Sequence, residues 1–557
     1  DIYFFGDYVW VHDLRTALAA AFEPLFGQRS YVRPIPLLML YAEVIASNRN
    51  PAVSHSINLA IHWICSALVF FLARRAIALT HAPDRPASPW TPLLLASIFS
   101  VHPALSEAPI WISSRFDLMA TLWVLLALWV AGLAIRDRTR ALLLGLLFFI
   151  GALCKESVAI FPLLLGVHAL LKGSQTRPKQ AIQLCDAFTV RELKAYAALV
   201  GFGIVYLFVR HHVMSEADLL QVARPTPAEW LSLVTVSISK YLQLTAMPFV
   251  GSSPHHTWAW PQDGSLASFW QAHMIALSFL AMIAILVLRR RPSGWWLLAW
   301  LAAYLPVLHL IPLPIGQNAI HQRFMYLPTA ILLAFAPYVL ARLRISEMAR
   351  RASTGLLALM IIISIPIDRS IVRVWRNDLA LWTWTTRAQP TSVEARENLV
   401  WAYLRYDMYE EAEKEFLHIV RQGVRTSPSL AVNMGTAMYR QGEFEGALHY
   451  YHKAEQHTAT FNATFRSRLL ANLGITNAIL GNEEEAKSYL IKSLLENRRN
   501  LTAIGHLIGY CQGNEIDTSI FDPEDVQRAK ESALTTADLV RSHQPSLQAK
   551  GAFCPDL

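Results

Sequence analysis

Side chains that could do chemistry occur in short segments that separate long apolar runs. Lysine and arginine hold phosphate groups, and a carboxylate can take a proton from a hydroxyl. Such side chains lie in FFGDYVWVHD (4–13), VHPALSEAPIWISSRFDLMA (101–120), CKESVAIFP (154–162) and HQRFMYLP (321–328). The candidates are Asp7, His102, Glu107, Arg115, Asp117, Lys155, Glu156, His321, Arg323 and Tyr326. Gathered on one face, they would suit an anionic substrate.

A structural interpretation is open for several of these residues. Lys155 and Glu156 could be an ion pair that caps a turn, and the charges of segment 101–120 could anchor helix ends. His55 and His62 lie seven residues apart on one helical face and are typical of packing histidines. The sequence has no HExxH, no CxxC pair and no Asp-rich loop, so it does not support a metal site. P-loop and GxGxxG patterns are absent too.

The composition separates the chain into two parts. Hydrophobic residues make up 54% of it and charged residues 16%, whereas soluble domains average roughly 25% charged. Residues 391–557 hold 17 Lys and Arg against 22 Asp and Glu, while residues 1–390 hold 32 against 19. We therefore expect an integral membrane domain followed by a soluble domain. The basic residues cluster between apolar runs, which indicates membrane topology and excludes a nucleic-acid face.

Ten apolar runs are long enough to be helices that cross a bilayer. They are 57–80, 91–109, 115–135, 140–154, 156–171, 194–210, 267–288, 294–312, 324–343 and 354–372. Basic stretches follow five of them at 74–85, 136–140, 172–194, 289–291 and 342–351, with 18 Lys and Arg against 5 Asp and Glu. Positive charge of this kind predicts that these five stretches are cytoplasmic.

An even number of membrane crossings must connect two cytoplasmic stretches. This parity fixes the side of the membrane on which the other segments lie. The more polar run 228–249 is then an interfacial or re-entrant helix at the outer surface. Residues 1–52 form a first outer loop, with an amphipathic membrane-surface helix at 13–27. The segment after 372 is outside as well. Because the chain begins outside, we expect a first helix that precedes Asp1 to be missing, so that about ten helices are present.

The C-terminal part is repetitive. Ala412, Ala447 and Ala486 are 35 and 39 residues apart, and the turn positions at 407, 442 and 481 share these spacings. Each unit reads helix, turn, helix, which is the tetratricopeptide pattern. We expect a transmembrane domain over 1–374, a connector or half-repeat over 375–393, an α-solenoid of repeats over 394–540 and a tail over 541–557. Such repeats bind a peptide or protein, or act as a structural cap.

Five segments appear in the order found in one known family. YVRPIP (31–36), SHSINLAIH (54–62) and the segments that begin at 101, 154 and 321 precede the repeats. Together they resemble the transmembrane-and-tetratricopeptide (TMTC-like) O-mannosyltransferases and their bacterial relatives, in the GT-C superfamily of polyprenyl-phosphate-sugar glycosyltransferases. The resemblance spans nearly the whole chain and implies an all-α, polytopic membrane bundle followed by an α-solenoid.

The resemblance also implies an activity. A sugar would leave a polyprenyl phosphate for an acceptor hydroxyl, often of Ser or Thr, with inversion and on the extracytoplasmic face. Asp7 would be the catalytic base, although Gly6 stands where the family has a second acid, and His321-Gln322 departs from the family pattern. The residues expected to bind the donor phosphate or sugar are Arg33, His102, Glu107, Arg115, Asp117, Lys155, Glu156, His321, Arg323 and Tyr326. No cofactor or metal is expected.

The expected partners are a polyprenyl-phosphate sugar, the membrane and an acceptor protein held by the repeats, with no nucleic acid. We expect a bacterial inner membrane with periplasmic repeats, the alternative being the endoplasmic reticulum with luminal repeats. A non-catalytic membrane scaffold that binds partners through its repeats is the main alternative function. A transporter is disfavoured, because transporter sites lie near the bilayer midplane and these charges lie at one face.

Overall fold

The computed structural model describes residues 13–22, 33–80, 90–176, 183–214, 226–253, 256–257, 269–310, 318–342, 346–421, 428–457, 463–498, 500 and 502–504. These residues form two compact units that meet in the sequence between Pro390 and Thr391. Both units are helical, as predicted: a helical bundle is followed by helical repeats.

The first unit is a bundle of fifteen helices among the described residues. They are α1 (Leu14–Ala21), α2 (Pro34–Ala46), α3 (Pro51–Thr80), α4 (Thr91–Ser100), α5 (Glu107–Ile110), α6 (Arg115–Ala131), α7 (Asp137–Ala152), α8 (Phe161–Thr176), α9 (Val190–Met214), α10 (Pro227–Ala246), α11 (Trp270–Leu288), α12 (Pro292–Ala302), α13 (Tyr326–Leu340), α14 (Glu347–Val374) and α15 (Asp378–Ala388). Two short strands, β1 (His256–Thr257) and β2 (Asn318–Ile320), pair antiparallel.

Seven helical segments within the described residues are long and apolar enough to cross a membrane. They are Pro51–Thr80, Ile112–Ala131, Glu156–Ser174, Val190–Val213, Trp270–Leu288, Gln322–Leu340 and Glu347–Val374. An eighth results if α4 and the bent segment Pro103–Ile110 make one broken span. This is an integral membrane protein.

All ten apolar runs form helices, but α7 and α12 are shorter than most spans. α7 has 16 residues and α12 has 11. α12 ends before the run of apolar residues does, because the chain turns at Ala303 and Tyr304 and continues as a short 3-10 turn. Both helices still pack within the bundle: α7 lies against α6 and α9, and α12 lies against α8, α11 and α13.

The core of the bundle is formed where α3, α6, α8 and α13 meet. The candidate span that contains α13 is the most enclosed, with 72% of its apolar stretch buried, whereas only 11% of the apolar stretch is buried in α11 and in α14. Close approach depends on small residues: a Cβ at Gly145 of α7 would lie 2.4 Å from the ring of Phe202 on α9. The exposed apolar faces of α11 and α14 suit contact with lipid.

The helices predicted to lie on the membrane surface are present in the described residues. α1 forms part of the predicted helix 13–27, whose residues 23–27 lie outside the described residues, and it buries Ala17 while Leu14 and Leu18 are exposed. α10 covers most of the run 228–249 and starts with a capping box between Thr226 and Glu229. The capping box satisfies two backbone N–H groups at the helix start.

The second unit contains three helical hairpins in its described part. Their helices are α16 (Val393–Arg405), α17 (Tyr409–Arg421), α18 (Pro428–Arg440), α19 (Phe444–Glu455), α20 (Ala463–Ile479) and α21 (Glu483–Glu496). Each hairpin turns at a residue with positive φ, namely Asp407, Gly442 and Gly481. The alanines at 412, 447 and 486 are all buried between helices. Of the solenoid predicted over 394–540, residues 505–540 lie outside the described residues.

Candidate functional site

Four charged side chains from three predicted segments form a continuous row, the charge chain Glu107–Arg323–Asp117–Lys155. Glu107 begins α5, Asp117 lies in the first turn of α6, Lys155 follows α7 and Arg323 precedes α13. The Arg323 Nη1 donates to Glu107 Oε1 at 2.7 Å and to His321 Nδ1 at 3.0 Å, and its Nε lies 3.9 Å from Asp117 Oδ2. Lys155 Nζ donates to Asp117 Oδ1. Residues more than 200 positions apart thus share one site.

Aromatic rings hold the two cations of the charge chain. The Arg323 guanidinium lies 4.5 Å from the ring centre of Trp111 and 5.0 Å from that of Phe324. The Lys155 amine lies 4.7 Å from the same Phe324 ring. Cation–π contacts stabilise positive charge most where water is scarce. The aromatic residue after Arg323 therefore fixes both cations at once.

The surroundings of Lys155 disfavour the charged form of its amine. Burial lowers the pKa of the Lys155 amine to about 8, and the positive charges of Arg33 and Arg323 also lower it, while Asp117 counteracts them. An amine with a pKa this low changes charge just above neutral pH. The site therefore contains a cation that can be neutralised under mild conditions.

A second ion-pair row lies beside the charge chain and is more open. Glu156 Oε2 accepts from Arg33 Nη2 at 2.9 Å, and Glu156 Oε1 lies 3.6 Å from Arg210 Nη1 near the end of α9. The Arg33 guanidinium rests over Phe116 at 5.0 Å. The Arg210 side chain is 31% exposed, against 9% for Lys155. This row therefore forms the accessible edge of the site.

Arg115 has a different position from the other predicted cations. Its side chain is fully buried and donates to Glu43, to Asn58 Oδ1 at 2.8 Å and to the Ser54 carbonyl at 2.8 Å. Ser54 Oγ also donates to Glu43 at 2.8 Å. Because these partners lie on α2 and α3, Arg115 joins both helices to α6. The structure does not bring it into the charge chain.

The remaining predicted residues are buried near the charge chain or lie outside the described residues. Tyr326 shares a 2.7 Å hydrogen bond with His62 Nδ1, and His62 Nε2 bonds the Ser100 carbonyl at 3.0 Å. His102 is 3% exposed, and its Nδ1 has no hydrogen-bond partner within the described part of the chain. Asp7 lies outside the described residues.

Part of the chain is similar to a curated protein. Protein O-mannosyl-transferase Tmtc1 of Drosophila melanogaster is 28% identical over 162 residues, which are 29% of this chain and 18% of Tmtc1. No family model matches the chain, and no solved structure gives a significant match. The similarity supports a TMTC-like relationship.

Two partners in these networks were not singled out from the sequence, Glu43 and Arg210. Arg210 lies at the end of an apolar run, so the predicted topology alone could have placed it at the same membrane face as segment 154–162. Glu43 lies inside the apolar helix α2, and nothing in the sequence indicated its partner. Within the described residues, no group of three or more His, Cys, Asp or Glu could hold a metal ion. Arginine, lysine and carboxylate groups are the chemistry that this site offers.

Proposed function

We propose that the protein is a membrane glycosyltransferase that moves a sugar from a polyprenyl phosphate to an acceptor hydroxyl, with inversion, on the extracytoplasmic face. The charge chain carries this proposal, because it joins acids and cations of three separate segments at one end of a membrane bundle. The similarity to an O-mannosyl-transferase supports the reaction class. We propose in the same way that the protein belongs to the GT-C superfamily, with a polyprenyl-phosphate sugar as donor and a hydroxyl group as acceptor.

The residues have distinct roles in the proposed reaction. The bond between the sugar C1 and the phosphate oxygen breaks, its electron pair stays on the phosphate, and C1 bonds the acceptor oxygen. Asp7 takes the proton of the acceptor hydroxyl. Arg323 and Lys155 stabilise the phosphate charge that develops. Glu107 orients Arg323, and Asp117, which contacts both cations, orients Arg323 and Lys155 together.

The second ion-pair row, Arg33–Glu156–Arg210, is where the donor phosphate first meets the protein. Arg33 and Arg210 flank Glu156, and both guanidiniums can form paired hydrogen bonds with phosphate oxygens. The row lies at the accessible edge of the site, where an incoming anion would meet these guanidiniums first.

The repeats would present the acceptor protein to the site, on the same side of the membrane. Their described inner surface forms a pocket lined by Trp401, Arg405, Arg440 and Arg468, among others. The membrane is proposed to be a bacterial inner membrane, with the repeats in the periplasm. These assignments rest on the resemblance and on the basic stretches at 136–140, 172–194 and 289–291.

A transfer assay tests the proposal directly. Full-length protein is given radiolabelled polyprenyl-phosphate sugars, mannose first, with a membrane-protein extract as acceptor. We expect label on protein, and a loss of about 100-fold or more in kcat for Asp7→Asn and for Arg323→Gln, as when a charge-stabilising donor is removed. Arg138→Gln, at the exposed start of α7, is the matched control and should retain transfer.

A non-catalytic scaffold is the second candidate, because every charge of the charge chain already has a partner within the chain. Full transfer by Asp7→Asn would remove Asp7 as the base. A folded wild type that consumes no donor with any sugar would favour the scaffold. Substitutions in the repeat pocket would then affect partner binding, whereas Asp7→Asn would not.

A further inference from the structure

A second group of charges lies at the other end of the bundle. α7 extends from Asp137 to Ala152, next to Lys155, and its 16 residues measure about 24 Å. Around its first turn, side chains from α3, α7, α8 and α9 converge, and Arg342, two residues after α13, reaches the end of α8 beside them. We name the following the second charge cluster: Arg75, Arg140, Lys172, Arg191 and Arg342.

The carboxylates nearby balance only part of this positive charge. Glu192 accepts from Arg140 Nη2 at 2.8 Å, and Asp137 lies 3.8 Å from Arg191 Nε and 3.1 Å from Lys194 Nζ. Asp186 lies against Gly173, beside Lys172 in the sequence.

The other three cations of the cluster, Arg75, Lys172 and Arg342, form no ion pair within the described residues. The cluster therefore keeps an excess of positive charge.

Helix carbonyls explain why the guanidiniums converge but do not balance their charge. Arg140 donates to the Ala131 carbonyl at 3.0 Å, Arg191 to Leu133 at 2.5 Å and Arg75 to Trp129 at 3.4 Å. These carbonyls end α6, where the helix dipole is negative. Contacts with these carbonyl groups satisfy the hydrogen bonds of the guanidiniums, but the positive net charge of the cluster remains.

Lys172 shows that the excess charge is concentrated. The charges of Arg191, Arg75 and Arg140 repel its amine, while Glu192 attracts it. Arg342 donates to the Ser174 carbonyl, and its buried Nε has no hydrogen-bond partner within the described residues. Like charges gathered beside apolar helices are unfavourable unless an anion joins them.

We infer that the second charge cluster binds a phosphate group. Guanidinium groups match the geometry of phosphate oxygens, and an amine adds a mobile charge. Basic pockets between membrane helices on the cytoplasmic side take the phosphate of anionic lipid head groups. The same chemistry would also hold a free phosphate ion. The site is separate from the charge chain and does not depend on the proposed transferase activity.

Lipid binding to the full-length protein in nanodiscs tests this inference. Phosphatidylglycerol is compared with phosphatidylcholine by native mass spectrometry and by thermal unfolding. We expect preferential retention of phosphatidylglycerol and a higher Tm with it. Lys172→Gln and Arg75→Gln should each weaken binding about fivefold, the effect of removing one basic charge near a membrane surface. Lys172→Arg keeps the charge and should keep the binding.

Arg74→Gln is the matched control, because Arg74 is the exposed neighbour of Arg75 on the same helix. It should leave phosphatidylglycerol binding unchanged. An equal loss in Arg74→Gln would indicate general surface charge and overturn the site, as would no preference for phosphatidylglycerol or phosphate. A Tm rise with inorganic phosphate in phosphatidylcholine discs, lost in Lys172→Gln, would support the site and assign it to a soluble phosphate.

Discussion

At the residue scale, the amine of Lys155 is held between two influences. Burial and the guanidiniums of Arg33 and Arg323 lower its pKa to about 8, while the carboxylate of Asp117 favours its charge. Below that pH the amine is a cation that can face an anionic donor, and above it the amine is neutral. A site that uses this charge must therefore weaken in mild alkali.

We predict that the KM for a polyprenyl-phosphate donor rises as the pH passes through about 8. One lost charge–phosphate contact should raise it about tenfold, since hydrogen bonds to charged groups contribute roughly 1.5–3 kcal/mol. Steady-state kinetics across this pH range measure it, with Lys155→Arg as the control, because arginine keeps its charge. An identical alkaline rise in Lys155→Arg would assign the titration to another group.

The stability contribution of Lys155 has the opposite dependence on pH. Its pKa in the folded protein, about 8, lies below the ordinary value of 10.5. Between these values the unfolded chain binds a proton that the folded chain does not, so this group's contribution to stability rises with pH. Activity and stability should therefore diverge above pH 8.

The sequence located the charged side chains but did not report how they pair, and their roles in donor binding stay predictions. The segments that begin at 101, 154 and 321 do contribute one connected charge chain. The partner of Arg115 was beyond sequence reasoning, because Glu43 is a single charged residue inside the otherwise apolar helix α2. Which acid meets which cation depends on how helices pack, and a single sequence does not report this.

At the element scale, the repeats depend on small residues where two helices touch. A Cβ at Gly435 of α18 would lie 2.5 Å from the ring of Tyr451 on α19 and 3.1 Å from the Ala447 carbonyl. The Tyr451 ring is buried and cannot move away. At Gly446 of α19, the nearest atom would be 3.6 Å away, which is an ordinary contact.

We predict that Gly435→Ala destabilises its hairpin by about 1–3 kcal/mol, the usual cost of overpacking. Gly446→Ala should be neutral or should stabilise by up to about 1 kcal/mol, because alanine favours a helix more than glycine does. Hydrogen exchange of the full-length protein should show faster exchange across α18 and α19 only in Gly435→Ala. Equal exchange in both variants would contradict the close packing at position 435.

Element existence was predictable where the sequence pattern was long or repeated. Apolar runs gave every helix of the bundle that was expected, and the 35- and 39-residue spacings gave the three hairpins with their positive-φ turns. Lengths were less predictable: α12 ends at Ala302, earlier than the apolar pattern. Local packing decides such ends, whereas hydrophobicity alone continues through them.

At the scale of the whole molecule, the two ends of the bundle differ in charge character. The charge chain alternates acids and cations, whereas the second charge cluster has an excess of cations. The basic stretches 136–140 and 172–194 meet at this second end, and their positive charge predicts that it is cytoplasmic. The charge chain and the repeats would then lie on the other side.

Native cysteines allow this orientation to be tested. Cys65 and Cys154 are buried, and Cys185 is exposed beside the second charge cluster. We predict that, with Cys511 and Cys554 replaced by serine, a membrane-impermeant maleimide labels Cys185 only from the cytoplasmic side. In a variant that also carries Cys185→Ser and has Glu484→Cys, at an exposed position of α21, labelling should occur only from the opposite side. Labelling of both positions from the same side would place the repeats with the basic stretches and separate them from a site on the outer face.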